Sequence, residues 1–185
     1  TEPRFGQLTL TVGKYYRVTG ESTQHRGVIP DIVIPSAIDT HMVGESTRDT
    51  ALPWDQIKPT PFPRQGNLGP AIEIVTGEHT ERRAEDPNYR HLLGDIEAIE
   101  ARRARKSVSL DIEARRAENE AAEAEELARE NQRRAALGLP PLEALADLED
   151  DDTPDVQLDE AARVVLDLAE LPPAVVAGRA TGSDG

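Results

Sequence analysis

The stretch DPNYRHLLGDIEAI, residues 86–99, carries the strongest helical pattern in the chain and decides the fold class. Asp86 is a capping residue, and Pro87 presets the first helical turn. Tyr89, Leu92, Leu93, Ile96 and Ile99 then recur at three- and four-residue steps, which draws one apolar stripe along a helix. Arg102, Arg103, Arg105 and Lys106 follow at the negative end of the helix dipole, where compensation of that dipole explains them better than a nucleic-acid patch does.

Beyond this helix, Val108-Ser109-Leu110 reads as a short extended break, after which Asp111 caps a long helix to about Leu137, stopped by Gly138 and Pro140. Its large apolar residues are only Ile112, Leu127 and Leu137, so most of its surface is wet and no heptad seam persists. Glu125–Arg129 and Glu130–Arg134 are predicted to form helix-supporting pairs. A last helix is predicted from an Asp159 cap through Ala162, Val165, Leu166 and Ala169, ending at Pro172-Pro173. On the amino-terminal side, Pro70 opens a helix on which Ile72, Val75 and His79 share a face, weakened by Gly77.

Further upstream the pattern changes. Pro53, Pro59, Pro61, Pro63 and Pro70 resist helix and sheet alike and mark a linker. Between Leu8 and Val18 apolar residues alternate with others, placing Leu8, Leu10, Val12, Tyr16 and Val18 on one face of a strand that needs neighbours. A second run, Ile29 to Ile34, is interrupted by Pro30 and closed by Pro35, which suits a sheet edge. A hairpin from residue 8 to about 34 is the simplest arrangement, with Leu52, Trp54 and Ile57 pinning the linker against it. The predicted fold class is therefore α+β and predominantly helical. Its parts are a strand–turn–strand region over 1–57, a Pro-rich linker over 58–69, a domain of three to four helices over 70–171 and a flexible tail over 172–185.

Composition restricts the partners. The 185 residues hold 35 Asp and Glu against 21 Lys and Arg, a net charge of −14, which argues against nucleic acid and against an anionic membrane surface. The chain is 37% apolar with six aromatic residues, a thin supply for one compact core. There is no cysteine, hence no disulfide and no thiolate metal site. No apolar run approaches the ~18 residues of a membrane span. Thr1 is not a natural start, so the sequence reads as an excised fragment.

The residue types of catalysis are present without a catalytic pattern. His25, His41, His79 and His91 lack the paired spacing of a zinc-protease helix. Glu149 to Asp152 is an acidic run, but a calcium loop counted from Asp150 would need glycine and glutamate where Asp155 and Ala161 stand. Gly20-Glu21-Ser22-Thr23 recurs as Gly44-Glu45-Ser46-Thr47, read as two polar turns rather than a duplicated site. Ser22 or Ser46 would need a desolvated lysine beside it. Of the three lysines, Lys14 lies on the strand, Lys58 abuts Pro59 and Lys106 sits among arginines.

Four clusters in order then become specific: GKYYR at 13–17, GESTQ at 20–24, GVIPD at 27–31 and DTALPWD at 49–55. Together they resemble the tail-specific, carboxy-terminal-processing serine proteases, the first three the end of the protease domain and the fourth the long proteobacterial branch with its helical extension. Thr50 stands where the family pattern has Asn, a departure confined to turn geometry. The resemblance implies a Ser–Lys dyad, a PDZ domain and an amino-terminal helical region, all upstream of Thr1. Carried over residue by residue, it places no catalytic, cofactor-binding or metal-binding residue in this sequence. It implies a periplasmic parent endopeptidase, protein substrates recognised by their carboxy-terminal ends, upstream protease and PDZ domains as partners and a lipoprotein adaptor. The strand would complete the protease sheet and the helices would wall the active-site entrance. The exposed edge at 8–18 also predicts a homodimer. The alternative is an independent acidic helical interaction module, which would not need the four clusters; an intact hydrolase using Ser22 or Ser46 is the third reading.

Overall fold

A computed structural model describes residues 6, 8, 10–39, 42–63, 66–149 and 153–176. The chain divides into two compact units, one formed by Thr1–Val33 with Ile38–Gln65, the other by Ile34–Ala37 with Gly66–Gly185. The second is helical: α1 (Gly69–Glu85), α2 (Pro87–Arg103), α3 (Ile112–Ala136), α4 (Val156–Glu170) and the single turn α5 (Pro173–Val176).

The helix ends follow local chemistry. Asp86 accepts hydrogen bonds from the amides of Asn88 (2.8 Å) and Tyr89 (3.3 Å), and Asp111 accepts one from Ala114 (2.9 Å). At the far end of α3, Gly138 turns to φ +72°, and the Leu139 amide reaches back to the Arg134 carbonyl at 2.8 Å, closing a Schellman motif. The cap of α4 is Asp155, bonded to the Leu158 amide at 3.0 Å, rather than Asp159. Asp159 lies inside the first turn instead, where a carboxylate suits the positive end of the dipole.

Within this unit α2 packs on α3, and α1 packs on α4, α2 and α5. Three apolar residues, Ala71, Val75 and Tyr89, are fully buried. The face of α1 predicted at Val75 and His79 is the buried one, although Ala71 rather than Ile72 completes it. The loop after α3 folds back onto that helix: Asn131 exchanges two hydrogen bonds with the backbone of Leu142 (2.7 and 3.0 Å), and Arg134 Nε donates to the Pro140 carbonyl at 2.7 Å. Gln157 donates to the Pro35 carbonyl at 2.7 Å, which ties segment 34–37 to α4.

In the first unit the hairpin from residue 8 to about 34 is not seen. Leu8, Leu10 and Val12 are exposed, and among the described residues no ladder runs along that face. The pairing is shorter: isolated antiparallel bridges join Tyr16 to Ser22 and Glu21 to Gln56 around a tight turn, with the Gly20 amide on the Arg17 carbonyl at 2.8 Å. The chain then returns beside that turn, the Ile57 amide bonding Gly20 O (2.8 Å) and the Thr60 amide bonding Val18 O (3.0 Å). Gly20 is required there, because its φ is +86° and a Cβ would stand 2.1 Å from the Ile57 carbonyl oxygen. Gly44 opens the second polar turn, a 3₁₀ turn over Glu45–Thr47, at φ +104°.

Candidate functional site

The first unit gathers Lys14, Tyr16, Ser22 and Asp55. Lys14 Nζ lies 3.1 Å from Asp55 Oδ1 and donates to the Pro53 carbonyl at 2.6 Å, while the Tyr16 hydroxyl donates to Asp55 Oδ2 at 3.0 Å. The Lys14 hydrogen bond, joined by those of Tyr16 and Ser22, holds the Asp55 carboxyl below its ordinary range. Ser22 is 3% exposed and sits astride the same residue: its amide donates to the Asp55 carbonyl at 3.0 Å, and its Oγ accepts from the Asp55 amide at 3.3 Å. Ser22 and Lys14 are thus gathered onto one aspartate. A Ser–Lys mechanism needs a neutral amine to take the hydroxyl proton, whereas here the lysine is the cation of an ion pair. Nearby, the Arg26 guanidinium lies 3.9 Å over the Trp54 ring. Backbone pairing and Asp55, more than Trp54 or the half-exposed Ile57, hold the returning segment.

Ser46 is half-buried in the second polar turn, and Lys58 and Lys106 are exposed. His25 is exposed with φ 59°, and His41 lies outside the described residues, as does the acidic run from Asp150 to Asp152. Among the described residues, no group of three or more His, Asp and Glu is placed to hold a metal ion, and no helix is long and apolar enough to cross a membrane.

The helical unit has a charged interior. His79 Nδ1 on α1 lies 2.7 Å from Glu160 Oε1 on α4; Arg82 donates to the same carboxylate from Nε (3.1 Å) and Nη2 (2.7 Å), and its Nη1 forms an ion pair with Asp167 at 2.9 Å. Arg163 on α4 bonds the cap residue Asp86 at 2.9 Å. Glu160 is 2% exposed. Burial works to raise its carboxyl, but hydrogen bonds from Arg82 and His79 outweigh that and hold it below the ordinary range. Asp86 shows the same balance, with burial opposed and overcome by Arg163 and the two helix amides.

A second cluster joins α2 and α3. Arg133 clasps buried Glu130 through Nε (2.8 Å) and Nη2 (2.6 Å) and reaches Asn88 on α2 at 3.0 Å. His91 Nε2 lies 3.2 Å from Asp95 and 3.5 Å from Glu130. Of the pairs read from spacing, Glu130–Arg134 is present at 3.9 Å, but Arg129 turns away from Glu125 to Asp95 on α2 at 3.1 Å. A partner across the interface, partly shielded from water, wins over an exposed neighbour on the same helix.

With its inner face charged, α4 turns its apolar stripe outward: Leu158, Val165 and Leu166 are 65%, 64% and 60% exposed.

Glu160 and Asp86 set an acid limit. Both carboxyls have folded-state pKa values below their unfolded ones, so their contribution is present above the ordinary carboxylate range and is lost as pH falls through the lowered values. Helicity followed by circular dichroism should hold from neutral pH down to about 5 and fall below about 4; a signal unchanged to pH 2 would contradict the network's role.

Comparison with known proteins places this architecture. Residues 38–170 match the family described as the C-terminal domain of tail specific protease. The chain is 37% identical over 166 residues to the tail-specific protease of Haemophilus influenzae, an alignment covering 88% of this chain and 24% of that protein, so the chain spans about a quarter of that relative's length.

Proposed function

We infer the role of this chain from one premise: it belongs to the tail-specific protease family and holds that protease's carboxy-terminal domain over residues 38–170. On that basis it is the non-catalytic carboxy-terminal part of a serine endopeptidase that cleaves proteins after recognising their carboxy-terminal ends. The observation that carries this reading is the use made of the buried charges. His79, Glu130, Arg133 and Glu160 are bonded to one another and to neighbouring helices, where they hold the domain together.

The exposed alternation of Leu8, Leu10 and Val12 suits a strand completed by the enzyme's protease sheet, and the outward stripe of α4 suits packing against further domains of the same polypeptide. The long, polar α3 suits a wall beside the entrance, admitting unfolded chain ends and excluding folded proteins. The enzyme would work in the periplasm with a lipoprotein adaptor. Pairing of two copies through residues 8–18 is the corresponding option for the chain by itself.

Removal of residues 66–176 from the full-length enzyme tests the wall. The truncated enzyme should still be labelled by a serine-reactive probe, and should cleave folded proteins that the intact enzyme spares. Labelling with an unchanged preference for unfolded substrates would contradict the wall.

A further inference from the structure

Between the start of α2 and the end of α3 lies a cleft of about 360 Å³ whose walls include Arg90, His91, Gly94, Arg129, Gln132 and Arg133. We propose that this cleft is a binding site for a peptide carboxylate, with Arg90 as its principal anchor. The inference stands on the cleft alone and does not depend on the wall.

The cleft carries donors in excess of acceptors. The Arg90 amide bonds the Asp86 carbonyl at 3.1 Å, but its guanidinium makes no hydrogen bond or ion pair with any described residue, in a chain whose net charge is −14. Arg129 commits only Nε, to Asp95, which leaves the terminal nitrogens of its guanidinium to the cleft. Gln132 adds a side-chain amide at the same wall. A guanidinium only donates, and its planar fork matches the two oxygens of a carboxylate. In the free chain only water meets these donor groups, and a carboxylate entering the cleft would accept from them in its place.

The walls are held before any ligand arrives. Arg133 is fixed by Glu130 and Asn88, and His91 by Asp95 and Glu130. Gly94 lets the stem of Arg129 lie across α2, since a Cβ there would stand 3.3 Å from Arg129 Cδ. The volume is at the lower end for ligand pockets, which suits one or two residues of an extended peptide rather than a folded surface. Chain ends and the side chains of Asp or Glu present the same group, and the test separates them.

Titration of the ¹⁵N-labelled chain would use four probes: acetyl-trialanine with a free carboxylate, its carboxamide, acetyl-Ala-Asp-Ala-amide and inorganic phosphate. Shifts of the Arg90, Gly94 and Gln132 amides with either carboxylate peptide, and none with the carboxamide, are the expected result. A response to the first peptide alone identifies chain ends, and a response to the third identifies acidic side chains. The Arg90 side chain is exposed and has no partner among the described residues, so Arg90→Gln should fold normally and weaken carboxylate binding about tenfold, while Arg90→Lys should retain part of it. Equal binding of acid and carboxamide, binding of phosphate alone, or an affinity unchanged by Arg90→Gln would overturn the proposal.

Discussion

Replacing Glu160 with alanine is expected to lower the stability of the helical unit by roughly 3–5 kcal/mol, the usual cost of removing one member of a buried ion pair. The carboxylate accepts from His79 at 2.7 Å and from Arg82 at 2.7 and 3.1 Å, and it lies 3.8 Å from Arg163. Truncation strands the His79 ring, which is buried, and part of the Arg82 guanidinium where water does not replace the lost acceptor. With three fully buried apolar residues in the described chain, little hydrophobic burial is available to absorb the loss. The measurement is the urea midpoint of the helical signal, which should fall by about 2 M. Glu160→Gln keeps the shape and one acceptor and should lie between the two. A midpoint unchanged by Glu160→Ala would mean that α1 and α4 are held by other contacts.

Tyr89 gives the second large effect and a control of opposite sense. Its ring is 1% exposed and packs edge-on against His79, with centroids 5.8 Å apart at 73°. Tyr89→Ala empties the centre of the small apolar core and should lower stability by roughly 3–5 kcal/mol. The Tyr89 hydroxyl is buried and meets no hydrogen-bond partner among the described residues. Tyr89→Phe removes that unsatisfied group while keeping the ring, and should leave stability unchanged or raise it by up to about 1 kcal/mol. A loss above about 1 kcal/mol in the phenylalanine variant would show that the hydroxyl has a bonding role.

How much of this was legible in the sequence depended on the range of the interaction. Asp86, Asp111 and Gly138 act on amides and carbonyls within a few residues, and the helix ends they mark are where the spacing placed them. Asp155 and Asp159 offer the same capping chemistry one turn apart, and Asp155 is the cap. The charged interior was not legible. Glu160 and His79 are 81 residues apart, and local pattern gives no reason to turn a glutamate inward while Leu158 and Val165 face out. Spacing pairs Arg129 with Glu125, but Asp95 on another helix takes it. The predicted hairpin is not seen for a related reason: alternation shows which face wants cover, and that cover is not among the described residues.

The same distinction applies to the hydroxyl and amine of the first unit. Local pattern marks no segment that would bury Lys14 beside Ser22. The chain does supply one at residues 53–60, but it brings Asp55 with it, and the lysine answers that carboxylate.

The most direct measurement is exposure of the purified chain to a serine-reactive fluorophosphonate, read by intact mass. The account predicts no adduct over hours at neutral pH, because the Lys14 amine is engaged by Asp55 and Pro53. A stoichiometric adduct on Ser22, abolished by Lys14→Ala, would contradict it.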